Sequence, residues 1–218
     1  MSRSTGWTMR DRGSVPAASL LLLLIIVPVR ARAGGGPFGI DYELHKGDTG
    51  VFSRNAQVGL EFGTVAFEAA GALVLGNHTE LGHTFWQAAD ASVFAGLSAQ
   101  VLKYAFSRAR PREGDDPNAW FSGHGHQSFP SGEVALQASF VTPFIIDYSH
   151  DHPWVWMLEI LPLWDAYARM KSQAHWQSDV IVGWALGTGF GYWATQRKVP
   201  LLVQILPDGV SVGFVERF

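Results

Sequence analysis

The sequence predicts an all-α protein, a bundle of about five to six helices with a small C-terminal β-hairpin. Hydrophobic residues make up 47% of the 218 residues, and long apolar segments carry very few charges. Glycine and proline clusters separate these segments, as expected for helices joined by loops. The alternation of apolar and polar residues that is typical of strands occurs only near the C-terminus.

Residues 1–33 are typical of an export signal rather than of a folded domain. Three arginines precede the apolar run AASLLLLLIIVPV, and a small-x-small site ends at Ala33. We therefore predict cleavage after Ala33 and export, to the periplasm. The uncharged run at 13–29 is 17 residues long, which leaves open the alternative of a membrane anchor that is not cleaved.

The charge balance of the remaining chain excludes one class of partner. Residues 1–33 hold five of the 16 basic residues and one of the 19 acidic ones, so 11 basic and 18 acidic residues remain. A nucleic-acid-binding protein normally carries a basic face, so we expect no nucleic acid as partner. The chain also has no cysteine, which excludes disulfides and a thiolate nucleophile.

Uncharged runs after residue 33 are mostly 11 to 13 residues long, too short to span a bilayer. Only 180–196 reaches 17 residues, and it is interrupted by glycine and polar side chains. We therefore expect a water-soluble domain with unusually apolar helices. Contact with a membrane surface remains open.

The first part of the chain predicts an arm followed by two long helices. Residues 34–54 are rich in turn formers and should form an N-terminal arm. A helical domain is predicted at 55–198, beginning with AQVGLEFGTVAFEAAGALVLG and a stop at Gly76-Asn77. The second helix should end at Arg110-Pro111, because a residue before proline avoids helical geometry.

A polar loop at 111–130 follows, and loops of this length usually carry function. A third helix is predicted from Ser131 to about Asp147. Pro153 should start a fourth helix, which we expect Pro162 to kink.

The last helix contains three glycines at a spacing of four, Gly183, Gly187 and Gly191, which predict a smooth face for close helix contact. Residues 199–218 alternate around Pro207-Asp208-Gly209, a strong hairpin signal.

Two groups of residues could bind an anion. Lys103 and Arg110 are seven positions apart, almost two helical turns, so both side chains could approach one point from one face. Ser131 and Gly132 open a helix whose first N–H groups would be accessible to an oxyanion. Taken alone, the first pair could serve a helix C-terminus, and Ser131 could be an ordinary N-cap.

A third group could provide a nucleophile or a base. His175 and Asp179 are four residues apart, the spacing at which a carboxylate accepts from one imidazole nitrogen and leaves the other nitrogen with its lone pair. Arg169 precedes them and offers a planar guanidinium suited to phosphate oxygens.

Together, the segments KYAFSRARP, PSGE and ARMKSQAHWQSD resemble the three-part signature of the type 2 phosphatidic acid phosphatases and vanadium haloperoxidases. That signature reads Lys, six residues, Arg-Pro; then Pro-Ser-Gly-His; then Ser-Arg, five residues, His, three residues, Asp. The order and the spacings within the first and third parts match over 103–179.

The resemblance implies a role for each matched residue. The phosphoryl oxygens would be bound by Lys103, Arg110, Ser131, Gly132 and Arg169. His175 would attack phosphorus to give a phosphohistidine, and Asp179 would hold the imidazole tautomer. We expect no metal and no other cofactor, because three fixed cations supply the charge stabilisation.

Two positions depart from this signature. Ala168 replaces the serine before Arg169, and Glu133 replaces the second histidine, the general acid of the family. Three explanations remain open. A bound phosphate could favour a protonated Glu133 that acts as the acid; His124 or His126 could supply the proton; or catalysis has decayed and Glu133 is a first-turn carboxylate.

These features predict an exported, metal-independent, acid-type phosphatase acting on phosphate mono- or diphosphate esters, with lipid phosphates and small soluble esters both as candidate partners. The alternative is a catalytically impaired protein that binds phosphate or a lipid phosphate. A vanadate haloperoxidase is a third option, disfavoured because those enzymes also depend on a histidine where Glu133 stands.

Overall fold

The computed structural model describes residues 34–77, 79–197, 200–201, 203–206 and 209–212. The predicted export signal at 1–33 lies outside the described residues, as does the centre of the predicted hairpin turn. The signal, its cleavage and the domain boundaries therefore stay predictions.

Five α-helices form the described core, which confirms the predicted all-α class. They are α1 (Arg54–Leu75), α2 (Glu80–Phe106), α3 (Gly132–Tyr148), α4 (Ile160–Lys171) and α5 (Gln177–Thr195). Short 3-10 helices occur at Pro37–Gly39, Gly50–Phe52, Pro111–Glu113 and Pro153–Glu159. The backbones of β1 (Val203–Leu206) and β2 (Gly209–Val212) pair antiparallel. The turn that would make them a hairpin is not described, so the hairpin remains a prediction.

Helix α2 ends earlier than the sequence predicts. It stops at Phe106 because Ser107 adopts a left-handed backbone conformation, with φ of 38°. Arg110 therefore lies beyond the helix, in the connection to the next element. The expectation that Lys103 and Arg110 share one helical face is wrong, because the helix between them is interrupted.

The region after Pro153 also differs from the prediction of one kinked helix. Pro153 begins a 3-10 helix, and α4 starts separately at Ile160. Pro162 falls in the first turn of α4, where its missing N–H has no helical acceptor to lose. It therefore interrupts no helix.

Helix α3 lies at the centre of the bundle and packs closely on α5. The predicted glycine face of α5 makes this approach feasible: a methyl group at Gly183 or Gly187 would overlap the carbonyl oxygens of Ser131 and Ala135. The core on the other side of α3 is aromatic, and the Phe85 and Phe144 ring centroids lie 4.9 Å apart. These contacts fix the start of α3 against α5.

Helix α1 is long and apolar enough to cross a membrane, by length and composition, with 17% of its most apolar window buried. The lengths of uncharged runs did not predict this helix as a membrane-spanning candidate, because Glu61 and Glu68 divide its apolar sequence. Glu68 is buried and accepts a hydrogen bond from Ser92 at 2.9 Å, so this polar group is satisfied inside the bundle. The expectation of a water-soluble domain with unusually apolar helices therefore stays a prediction, as does contact with a membrane surface.

Candidate active site

The predicted site residues converge at one end of the bundle, where α2 and α4 finish and α3 and α5 begin. Lys103 lies in the last turn of α2, and Arg169 lies in the last turn of α4. Ser131 precedes α3, and His175 lies just before α5. Antiparallel neighbours in the bundle thus bring distant parts of the chain together.

His175 is buried, with 2% of its surface exposed. Its Nδ1 lies 2.6 Å from the carbonyl oxygen of Ser128, an acceptor only, so Nδ1 carries the proton and donates it. Burial lowers the pKa of His175 well below 6.5, and the nearby Arg169 and Lys103 lower it further. The imidazole is therefore neutral at pH 7, and Nε2 keeps its lone pair.

Asp179 lies close to His175, but its oxygens are committed elsewhere. The Nδ1–Oδ2 distance is 3.9 Å, longer than a hydrogen bond. Asp179 Oδ2 accepts from the hydroxyl of Ser128 at 2.5 Å and from the N–H of Trp176 at 2.9 Å. Asp179 thus holds Ser128, and Ser128 presents its carbonyl to the imidazole.

Arg108 completes this network from the inside of the protein. Its guanidinium is fully buried and contacts Asp179 Oδ1 at 2.5 Å and Asp41 Oδ2 at 2.6 Å. The ring of Trp120 packs over the guanidinium, with its centroid 4.3 Å from Cζ. Arg108 therefore connects the N-terminal arm, through Asp41, to the start of α5.

Besides burial, the three predicted phosphate-binding cations, Arg169, Lys103 and Arg110, each lower the pKa of the His175 imidazole through their charge. Burial, followed by the charges of Arg110 and Arg169, lowers the pKa of Lys103 to about 8. Among the described residues, Lys103 makes no hydrogen bond, while Arg110 donates to the carbonyl of Gln127 at 3.3 Å. The ammonium group thus keeps its donors for a ligand, and it loses its charge above about pH 8.

The start of α3 offers further donors to an anion. Ser131 is buried, and its Oγ has no hydrogen-bond partner in the described part of the chain. No side chain caps the helix, which leaves its first N–H groups unsatisfied. The position that a Cβ would occupy at Gly132 lies 3.7 Å from Lys103 Nζ. A buried hydroxyl without a partner and a nearby ammonium group together suit a phosphate oxygen.

Glu133 bridges two arginines. Its carboxylate lies 2.8 and 2.9 Å from Arg54 Nη1 and 3.1 Å from Arg169 Nη1. Arg169 also donates to the buried side chain of Gln57 at 2.9 Å. The carboxylate that breaks the sequence pattern therefore stands inside the cation cluster.

The two loop histidines lie further out. His124 is exposed, and His126 Nδ1 lies 2.9 Å from Glu113 Oε2.

Asp165 in α4 is a further buried carboxyl group, and its Oδ2 has no hydrogen-bond partner among the described residues. Burial first, and the charge of Glu133 next, raise the pKa of Asp165 to about 8, so it is protonated at pH 7.

Several residues of this site escaped the sequence analysis. They act through contacts between distant segments, and they are Asp41, Arg54, Gln57, Arg108 and Ser128. Only Arg108 had a local signal, as a second arginine just before Arg110 in an otherwise apolar segment. In the described part of the chain, no three His, Cys, Asp or Glu side chains cluster as metal ligands do.

In the comparison with known proteins, all of the site residues predicted from the sequence lie within a matched region. Residues 85–200 match the model of the PAP2 superfamily. The chain is 33% identical over 124 residues to the lipid A 1-phosphatases of Rhizobium etli and Rhizobium johnstonii, covering 54% of this chain and 52% and 50% of those proteins. It is 26% identical over 106 residues to the undecaprenyl-diphosphatase of Sulfolobus acidocaldarius, covering 48% of this chain and 50% of that protein.

The chain thus spans about half the length of these relatives. The crystal structure of Aquifex aeolicus LpxE aligns with 88% of this chain and 100% of that one, at 16% identity and a TM-score of 0.42.

Proposed function

Because the chain belongs to the PAP2 superfamily, we propose that it is a metal-independent phosphatase that hydrolyses lipid phosphates through a phosphohistidine on His175. The observation that carries this proposal is the neutral, buried imidazole beside Lys103, Arg110 and Arg169, with Nδ1 bound to a carbonyl and Nε2 available. Export to the periplasm is part of the same proposal.

The chemistry proceeds in two displacements. Nε2 of His175 attacks phosphorus, the bond from phosphorus to the ester oxygen breaks, and the leaving oxygen departs with the electron pair. The fixed cations neutralise the charge on the phosphoryl oxygens as the bond breaks. Water then attacks the phosphohistidine and gives a proton to Glu133, the bond from phosphorus to Nε2 breaks, and phosphate is released as the electron pair returns to Nε2. Ser128, held by Asp179, keeps the proton on Nδ1 throughout.

Two features support a lipid as the substrate. The matched relatives are named as lipid A 1-phosphatases and an undecaprenyl-diphosphatase. A cavity of about 570 Å³ is lined by apolar residues of α1, α2, α3 and the 3-10 helix at Pro153–Glu159, among them Gly59, Phe67, Phe85, Phe144 and Trp154. None of the cationic residues lines this cavity, whose lining on α1 begins at Gly59, in the turn after Arg54. We propose that a substrate held at the cations extends its hydrocarbon chain along α1 into it.

The direct test is phosphate release from a prenyl or acyl phosphate in detergent micelles, with EDTA present. We expect turnover that EDTA does not reduce and that vanadate, a phosphate analogue, inhibits. Tight binding of inorganic phosphate without any turnover would instead favour the second candidate, a phosphate-binding protein, which the contacts of Glu133 with two arginines support.

We assign protonation of the leaving oxygen to Glu133. When a phosphate dianion binds Arg169, the Glu133 carboxyl keeps only Arg54 as a cationic partner and faces the negative charge of the substrate, the arrangement in which a carboxyl group holds a proton. We expect Glu133→Gln to lower kcat about 10²–10⁴-fold for an alkyl phosphate, whose leaving oxygen needs a proton. A nitrophenyl phosphate, with a good leaving group, should lose far less.

The comparison of the two substrates removes effects on binding and folding, which would lower both rates equally. His124→Asn and His126→Asn serve as matched variants of the other candidate donors. An equal decrease for both substrates in Glu133→Gln, or a decrease specific to the alkyl phosphate in one of the histidine variants, would reject Glu133 as the acid.

A further inference from the structure

Arg54 brings a fourth cation to the site from outside the three matched segments. It is the first residue of α1, and Ser53 fixes this helix start by accepting from the N–H of Ala56 at 3.3 Å. Its Nη1 lies 2.9 Å from Glu133 Oε2, the same oxygen that lies 3.1 Å from Arg169 Nη1. The two arginine nitrogens are therefore within about 6 Å of each other.

The two arginines have different surroundings. Arg169 is buried, whereas 52% of the Arg54 side chain is exposed. Among the described residues, Arg54 Nε makes no hydrogen bond, and Nη2 has only a 3.9 Å contact with Glu61. Arg54 thus stands on the solvent side of the inner cations, with donors left for another anionic group.

The position of Arg54 favours contact with the leaving group rather than with the transferred phosphoryl group. In an in-line displacement the leaving oxygen lies opposite the nucleophile, and His175 attacks from the buried side. A phosphate leaving group departs as an anion and needs no proton. A cation on the solvent side of the site therefore stabilises it better than a general acid does. Glu133 and Glu61 hold the guanidinium at this point.

We propose that Arg54 binds the leaving phosphate of a diphosphate and makes the site selective for diphosphate esters over monophosphate esters. This inference rests on the proposed function. Nε2 of His175 attacks the terminal phosphorus, the bond to the bridging oxygen breaks, and that oxygen leaves as part of a monophosphate anion paired with Arg54. Water then hydrolyses the phosphohistidine.

The test compares a prenyl diphosphate with the prenyl monophosphate of the same tail, in micelles with EDTA. Arg54→Ala should lower kcat/KM for the diphosphate about 10- to 100-fold, the range for a lost charge-assisted hydrogen bond, and change the monophosphate less than about 3-fold. Arg54→Lys should fall between, since it keeps the charge but loses the planar fork. Arg112→Ala, the loss of an exposed arginine near the site, is the matched control and should affect neither substrate.

Calorimetric binding of inorganic diphosphate and inorganic phosphate separates this inference from the proposed function. Arg54→Ala should weaken diphosphate binding about 10-fold relative to phosphate, whether or not the protein turns over. An absence of turnover in the wild type would defeat the proposed function while this ratio still decides the role of Arg54. An unchanged ratio, or an equal decrease for both ligands, would overturn the inference.

Discussion

Replacing His175 with alanine should reduce phosphate release by about 10⁴-fold or more, the scale seen when a catalytic nucleophile is removed. The reason is that Nε2 is the unprotonated nitrogen of this ring and lies beside the cation cluster. The pKa of His175 lies well below 6.5, so Nε2 keeps its lone pair at pH 7. Release of phosphate from a prenyl phosphate at pH 7 is the measurement. His150→Ala is the matched control, because this histidine side chain is 94% exposed and outside the site.

A second variant protects this result from a folding defect. His175→Asn keeps a donor in the direction of Nδ1, so it can still bond to the carbonyl of Ser128, but it offers no nucleophilic nitrogen. We expect it to retain the thermal unfolding midpoint of the wild type and to bind inorganic phosphate while showing no turnover. Activity within about 10-fold of the wild type in either variant would remove His175 from the nucleophile role.

The largest expected effect on stability comes from Arg108. Arg108→Ala should lower the free energy of unfolding by about 3–5 kcal/mol, because it leaves the carboxylates of Asp41 and Asp179 buried without their cation. Urea unfolding in the same detergent or buffer is the measurement. Arg112→Ala, at an exposed position, should change the unfolding free energy by less than about 0.5 kcal/mol.

A double mutant tests whether the unpaired carboxylates cause this loss. Asp41→Asn removes one of them, so in the Arg108→Ala background it should restore part of the unfolding free energy, although alone it destabilises. Simple addition of the two single-mutant losses would contradict the ion-pair account, as would a loss below about 1 kcal/mol for Arg108→Ala.

The sequence was sufficient to predict the helical class and some of the residues that meet at one end of the bundle. Lys103, Ser131, Arg169 and His175 were predicted from three spaced motifs that resemble a family signature, and in the structure each of them lies near a helix end. Antiparallel packing of the helices in a bundle then brings these four residues together. Glycine spacing in α5 likewise predicted a face for close helix contact, and the structure shows that α3 is the helix packed on it.

Contacts between distant segments could not be predicted in the same way. The spacing of His175 and Asp179 suggested a direct hydrogen bond, but Arg108 and Ser128 bind the carboxylate, and Ser128 presents its carbonyl to the ring instead. Arg54 had no signal at all, because its role depends on where α1 starts relative to Glu133. Both arrangements depend on contacts between segments that are far apart in the sequence, and local residue spacing does not reveal such contacts.

The same limit applies to Glu133. Within its own segment it looks like an ordinary carboxylate in the first turn of a helix, favoured by the helix dipole. Only the fold shows it between Arg54 and Arg169, where it holds the outer cation in place and stands beside the inner one. Its departure from the family pattern therefore places a carboxylate between two arginines, one of which lies outside the three matched segments.

Trapping the covalent intermediate tests the account most directly. Wild-type protein is mixed with a ³²P-labelled prenyl phosphate in a single turnover, quenched in base to preserve phosphohistidine, and mapped by peptide mass spectrometry. We expect one phosphoryl group on the peptide containing His175, absent from His175→Asn. Turnover with no labelled peptide at any time point, or a phosphoryl group on a different residue, would contradict it.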